Sequence, residues 1–229
     1  MVAPRSSRAG AGPHPGFGVL LPIAAIALFA AIAYAVFNGQ ALTALDIELS
    51  KWLHARATPA MTRSMLVITQ LHSTYAIACY GVLAAVLLWS RHARRRSATV
   101  FVCIGGGLLL NGLVKLAFQR ARPTFEQPIL TLATYSFPSG HVAASTIFYG
   151  LGVAWVFERT RSVAWRSAAL IVAGLAIAVV AFSRMYLGVH YLSDVAAAFA
   201  EGVAWLTLCL GGLAAFWRGT PRAPEETPR

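Results

Sequence analysis

FGVLLPIAAIALFAAIAYAVF, residues 17–37, contains no charged side chain. A helix rises about 1.5 Å per residue, so this run is long enough to cross the roughly 30 Å hydrocarbon core of a bilayer. Arg5 and Arg8 precede it, as they would in a signal peptide, but the run exceeds the usual apolar core of about 7–15 residues. It reads as a retained membrane span.

Five further runs of the same kind follow: Met65–Trp89, Ala98–Phe118, Gly140–Phe157, Val163–Phe182 and Val189–Trp217. The 229 residues are 58% hydrophobic and 12% charged, whereas a soluble domain carries about 25% charged residues. The expected fold is therefore all-α, a polytopic membrane protein built as a bundle of six transmembrane helices. Residues 1–16, rich in Pro, Gly, Ser and Arg, read as a disordered tail, 17–217 as the bundle, and 218–229 as a C-terminal tail. Asp46 to Arg63 mix polar and apolar residues, which suits a short interfacial helix before the second span. Gly105-Gly106-Gly107 and Gly211-Gly212 offer places where helices approach closely.

The formal charge of +11 does not point to nucleic acid, because the arginines sit in short clusters between apolar runs and build no basic face. They report topology instead. The N-terminal tail, Arg91–Arg96, Glu158–Arg166 and the C-terminal tail together hold twelve of the nineteen Lys and Arg. By the positive-inside rule both termini are expected in the cytoplasm. Lys51, Arg56, Arg63, Lys115, Arg120, Arg122 and Arg184 fall on the outer side. Cys79, Cys103 and Cys209 each lie inside an apolar run without C-x-x-C spacing, so they read as packing residues.

Ionisable groups at membrane depth are costly, and each asks for a partner or a purpose. Lys115 lies near the outer end of the third span, and Arg122 follows two helical turns later. Both cations share a face if the helix continues until Pro123 ends it. Simple snorkelling to the head groups is the alternative. Phe137-Pro138-Ser139-Gly140-His141 stands where the outer loop meets the fourth span. There Ser139 can cap the helix, Gly140 can admit a ligand close to the backbone, and the free amides of a helix start favour an anion. His141 can give a proton to a leaving oxygen near neutral pH. Ser183-Arg184, His190 and Asp194 meet at the junction of the last two spans. At a spacing of four, His190 and Asp194 share a helix face, so the carboxylate can hold one ring nitrogen and leave the other as a nucleophile. A purely structural His–Asp contact is the competing reading. Arg184 supplies a planar fork that matches phosphate oxygens.

All three clusters fall on the outer side of the expected topology. Cations, two histidines and one carboxylate around one place suit phosphoryl transfer, in which charge on the equatorial oxygens must be neutralised. No carboxylate cluster is left over to hold a metal, and no cofactor motif is present, so neither is expected.

Lys115-x6-Arg122-Pro123, Pro138-Ser139-Gly140-His141 and Ser183-Arg184-x5-His190-x3-Asp194 resemble the three-part signature of the type 2 phosphatidic acid phosphatase superfamily. The resemblance implies that His190 attacks phosphorus to form a phosphohistidine, that Asp194 orients it, and that His141 protonates the leaving group. It also implies that Lys115, Arg122, Ser139, Gly140 and Arg184 bind the substrate phosphate, and that no metal takes part. Bacterial six-span members of this family act at the outer leaflet of the cytoplasmic membrane on lipid phosphates. Their small form without an extra domain points by analogy to undecaprenyl diphosphate, with phosphatidylglycerophosphate, phosphatidic acid and lipid A as alternatives. The expected partners are a lipid phosphate and the bilayer, with no nucleic acid.

Vanadium-dependent haloperoxidases share the anion pocket, but those relatives are soluble. A transporter or lipid-binding protein with buried charges along a path is the alternative of another class, though duplicated halves with interrupted helices are not visible. Outside the signature, Glu201 reads as a bond to a neighbouring span or the wall of a polar pocket, with the first favoured. His72 and Gln70 read as interfacial, and Tyr186 and Tyr191 as part of the aromatic belt, with Trp89, Trp155 and Trp217 closing the other ends of their spans.

Overall fold

The computed structural model of the chain describes residues 15–219. The N-terminal tail expected to be disordered and the C-terminal tail lie almost entirely outside the described residues. Eight helices are described: α1 (Pro15–Asn38), α2 (Gln40–His54), α3 (Pro59–Leu71), α4 (Thr74–Ser90), α5 (Arg94–Phe118), α6 (Gly140–Arg159), α7 (Val163–Tyr186) and α8 (Leu192–Gly219). They form six segments long and apolar enough to cross a membrane, with α3 and α4 sharing one segment from Pro59 to Ser90. The chain is a multi-pass membrane protein, and the all-α bundle expected from hydropathy is the observed architecture.

Three boundaries differ from the sequence reading. The interfacial helix begins earlier, at Gln40, and ends at His54. The second span is not one helix. It starts at Pro59, where the Thr58 hydroxyl accepts from the Met61 amide, and breaks after Leu71, where Ser73 caps α4 by accepting from Ala76 at 3.1 Å. The last span starts at Leu192, so Leu187–Tyr191 form a largely buried turn between α7 and α8. Gly188 takes φ +69° in that turn, a conformation costly for a residue with a Cβ.

The outside of the bundle is apolar and the inside is partly polar. Leu170, Ile171, Val172 and Leu175 on α7 are all more than half exposed, a face that lipid covers at no cost. Arg184, His190, Asp194, Asp46 and Ser139 are instead almost fully buried at one end of the bundle. Beneath them, α4, α5, α6 and α8 meet in a core of Ile77, Val100, Cys103, Ile104, Ala144, Ile147, Leu151 and Leu206. Cys103 fits its expected packing role, whereas Cys79 is exposed. Phe29, Phe37, Phe118 and Phe137 form a cluster of tilted and edge-to-face rings where α1 meets the end of α5 and the segment that follows it.

Small residues serve some helix contacts and not others. Gly106 and Gly107 admit the ring of Trp205, while Gly105, Gly211 and Gly212 face open space. Gly202 of α8 packs tightly on α6: a Cβ there would sit 2.7 Å from Thr146 Cβ and 3.1 Å from the Ala143 carbonyl oxygen. Gly202→Leu is therefore expected to push α6 and α8 apart and to destabilise the fold by about 1–3 kcal/mol. Gly211→Leu, on an open face, should leave the thermal midpoint in detergent unchanged. Equal midpoints for the two variants would show that α6 and α8 are not tightly packed.

Candidate active site

The polar end of the bundle is assembled from helix termini and loops. α5 stops at Phe118, because Gln119 takes a left-handed conformation with φ 46° and its amide closes on the Lys115 carbonyl. The expectation that the helix runs on to Arg122 is thus corrected: Arg122 lies in the loop 119–139, not two turns further along a helix. Its guanidinium is nonetheless fixed. Nε donates to the Thr134 carbonyl at 2.7 Å, Nη2 to the Thr134 hydroxyl and the Tyr135 carbonyl, and Nη1 to the Val189 carbonyl at 2.6 Å. Lys115 donates to the Tyr135 carbonyl at 2.8 Å, which ties α5 to the same loop.

A cavity of about 590 Å³ opens among these groups, and Lys115, Arg122, Gly140, His141, Arg184 and His190 all line it. Three cations and two imidazoles face one space with no carboxylate among the lining residues, so the cavity suits an anion. From there it extends between α4 and α5 along Tyr75, Ala78, Leu108 and Gly112, a mostly apolar groove. A second cavity of about 620 Å³ lies at the opposite end of the bundle, and none of the predicted site residues lines it.

Unused hydrogen-bonding capacity marks the anion end. Ser139 occupies the cap position of α6, but its side chain makes no capping bond, contrary to expectation, and the fully buried Oγ has no partner. Arg184 donates through Nη1 to the Thr69 hydroxyl, yet its buried Nε is unpaired. Buried donors are costly when unsatisfied, and an oxyanion beside α6 would satisfy them. Gly140 brings the α6 start against α5: a Cβ there would stand 3.1 Å from the Asn111 Oδ1.

His190 and Asp194 do meet, but through a turn rather than along one helix face. His190 precedes α8 and Asp194 lies in its first turn, with Nδ1 and Oδ2 3.4 Å apart. The carboxylate lies beside Nδ1, although that nitrogen makes no hydrogen bond, and Nε2 faces the cavity 3.2 Å from Arg122 Nη1. Burial pushes the His190 pKa down to about 3, against the pull of Asp194. Asp194 Oδ2 also accepts from the Ser136 hydroxyl and from the Tyr191 amide, the latter at 2.9 Å.

Sequence reading misses a second layer. Arg120 places Nη1 2.6 Å from Asp194 Oδ1 and Nη2 2.8 Å from Oδ2 of Asp46, which reaches in from α2. Burial opposes the Arg120 charge, but the two carboxylates outweigh it and raise its pKa. Asp46 carries a legible signal. Leu42, Asp46, Leu49 and Leu53 recur at helical spacing, so the carboxylate sits on the inward stripe of α2.

Other residues fall into plain structural roles. Tyr186 is buried and not in an aromatic belt, its hydroxyl accepting from the Thr58 amide at 2.9 Å. Tyr191 stacks under Arg120, the guanidinium 4.4 Å from the ring. His72 bonds the Tyr149 hydroxyl at 2.7 Å, and Glu201 accepts from Asn111 of α5 at 2.8 Å, the neighbouring-span bond expected of it.

The sequence profile of the PAP2 superfamily matches residues 96–218, more than half of the chain, and the chain belongs to that superfamily. It is 27% identical to phosphatidylglycerophosphatase B of Bacillus subtilis over 186 residues, covering 80% of this chain and 91% of that protein. It is 28% identical to a probable lipid phosphate phosphatase beta of Arabidopsis thaliana, covering 73% and 88%. The crystal structure of a transmembrane PAP2-type phosphatidylglycerolphosphate phosphatase from Bacillus subtilis superposes with a TM-score of 0.75 at 25% identity, covering 88% of this chain and 98% of that one.

The burial of His190 makes a pH prediction. Its folded pKa of about 3 lies below the ordinary 6.5, so between those values the unfolded chain binds the extra proton. Stability is then lost as pH falls from about 6.5 toward 3, by up to about 1.4 kcal/mol per unit. His190→Asn, which cannot titrate, is expected to lose less thermal stability in detergent than the wild type between about pH 7 and about pH 5. Parallel losses would show that the ring is solvated and protonates freely.

Proposed function

We propose, from membership of the PAP2 superfamily, that this chain is a lipid phosphatase that transfers the substrate phosphoryl group to His190 and then to water. The observation that carries the reading is the cavity in which Lys115, Arg122, Arg184, His141 and His190 converge beside an apolar groove. A phosphate with an apolar tail matches both parts of that space.

In this mechanism Arg122, Arg184, Lys115, the Ser139 hydroxyl and the Gly140 amide neutralise the phosphoryl oxygens. Nε2 of His190 forms a bond to phosphorus as the ester P–O bond breaks, and His141 gives its proton to the departing oxygen. His141 then takes a proton from water, the water oxygen bonds phosphorus, the P–N bond breaks, and inorganic phosphate leaves. Asp194 stabilises the ring charge that builds up on His190. The carboxylate oxygens nearby are already taken up by Arg120, Ser136, Ser193 and Tyr191, which supports a metal-independent reaction.

Among substrates, we favour a glycerophospholipid phosphomonoester of the phosphatidylglycerophosphate kind, because the similar Bacillus subtilis sequence and the similar solved structure both carry the name of a phosphatidylglycerophosphate phosphatase. Undecaprenyl diphosphate is the second reading, favoured by the compact six-span form. The distribution of Lys and Arg supports a cytoplasmic-membrane protein with both termini inside and the cavity at the outer surface.

The test is phosphate release by purified protein in detergent from phosphatidylglycerophosphate, phosphatidic acid, undecaprenyl diphosphate and lipid A. The wild type should turn over at least one of these, undiminished by EDTA, and His190→Ala should lose at least about a thousandfold of the rate. Equal inactivity of both proteins on the whole panel overturns the enzyme reading, and loss to EDTA with recovery in magnesium overturns the metal-free mechanism. Vanadate, which adopts the five-coordinate geometry of the transition state, should inhibit competitively. Full activity in millimolar vanadate, on the order of a typical KM ceiling, would refute the proposed phosphate cradle.

A further inference from the structure

We propose that Asp46, on helix α2, is a positioning residue for phosphoryl transfer, acting through Arg120 to keep the Asp194 carboxylate on His190. The proposal rests on the reading of His190 as nucleophile and extends it to an element outside the matched residues 96–218.

The geometry is that of one guanidinium between two buried carboxylates. The Asp46 and Asp194 side chains are both fully buried, and that of Arg120 is 9% exposed. Asp46 Oδ1 accepts from the Ser193 amide at 3.0 Å, and Oδ2 accepts from Arg120 Nη2 and from the Ser193 hydroxyl. The Ser193 hydroxyl in turn lies 2.7 Å from Arg120 Nη1, which also bonds Asp194. Ser193 and Asp194 are consecutive in the first turn of α8, so Asp46 and Arg120 together clamp the turn that presents the catalytic carboxylate.

Two effects follow from this arrangement. The first is geometric: a guanidinium fork held at one end by Asp46 cannot swing, so the Asp194 Oδ1 is fixed and Oδ2 stays toward the His190 ring. The second is electrostatic. Arg120 carries one positive charge between two negative ones, and Asp46 takes up part of its pull. Without Asp46, the whole charge of Arg120 falls on Asp194, which then has less negative potential to offer the imidazolium-like ring that forms during transfer. Asp46 does not line the cavity, so it has no direct contact with substrate to lose.

The experiment is steady-state kinetics of the full-length protein in detergent micelles on the best substrate of the panel, with Asp46→Asn, Arg120→Gln and the double variant. Asp46→Asn keeps the shape and removes the charge. It is expected to lower kcat by about 10–100-fold with little change in KM, as substitutions in the outer shell of a site do. If Asp46 acts only through Arg120, the double variant should be no slower than Arg120→Gln alone. Additive losses, or a kcat for Asp46→Asn within about twofold of wild type, overturn the proposal and leave Asp46 as an anchor for α2. Should Asp46→Asn fail to fold by thermal unfolding, Arg120→Lys takes its place. That variant keeps the positive charge but cannot bridge Asp46 and Asp194 as a fork, and an unchanged kcat for it overturns the proposal equally. Wild-type protein inactive on every lipid phosphate sinks the functional reading itself, whereas an active wild type with an indifferent Asp46→Asn sinks only this extension.

Discussion

A guanidinium that serves two buried carboxylates at once holds the polar end of this bundle together. Arg120 comes from the loop after α5, Asp46 from α2 and Asp194 from α8, so one side chain joins three separate parts of the chain. Removing one member of such a buried group strands the others, a loss of about 3–5 kcal/mol in comparable sites. The clamp therefore fixes the position of the loop 119–139, and with it Arg122, whose guanidinium is spread over the carbonyls of Thr134, Tyr135 and Val189. Anion-binding groups supplied by a loop gain the rigidity of a helix in this way.

The bundle separates two kinds of charge. The buried carboxylates Asp46 and Asp194 are consumed by Arg120, while Lys115, Arg122 and Arg184 turn toward the cavity without a carboxylate among its lining. Uncompensated cations in a low-dielectric place repel one another, and the unpaired Ser139 hydroxyl and Arg184 Nε add unsatisfied donors. The cavity is thus strained electrostatically in a sense that an anion would relieve.

Much of this is legible in the sequence, and what is not has identifiable reasons. The six spans follow from hydropathy because lipid imposes a length and a composition on every crossing segment. Lys115, Ser139, Gly140, His141, Arg184, His190 and Asp194 stand out because charged or special residues at the ends of apolar runs are conspicuous. The break between α3 and α4 escapes hydropathy because a two-residue interruption, His72 and Ser73, barely changes an average over a window. Arg122 reads as helical in the sequence but lies in a loop, because the course of a loop depends on hydrogen bonds to carbonyls, which carry no side-chain pattern. Tyr186 reads as an aromatic-belt residue, yet its burial against Thr58 depends on how α3 crosses α7, which no local spacing encodes.

Asp46 is the instructive case, since its position on the inward stripe of α2 is visible in the residue pattern. An acidic residue among leucines at helical spacing says that a carboxylate is buried, and a buried carboxylate must have a cationic partner. The partner must be a cation without another task, and the sequence offers Lys51, Arg56, Arg63 and Arg120. The physical rule that a buried charge requires its opposite therefore calls for a cationic partner of Asp46, and the structure identifies it as Arg120, 74 positions away. In the structure Asp194 bonds the same guanidinium. One arginine shared by two carboxylates is a statement about the architecture of this end of the bundle: the amphipathic helix α2 belongs to the framework of the candidate site, although the residues matched by the superfamily profile begin well after it.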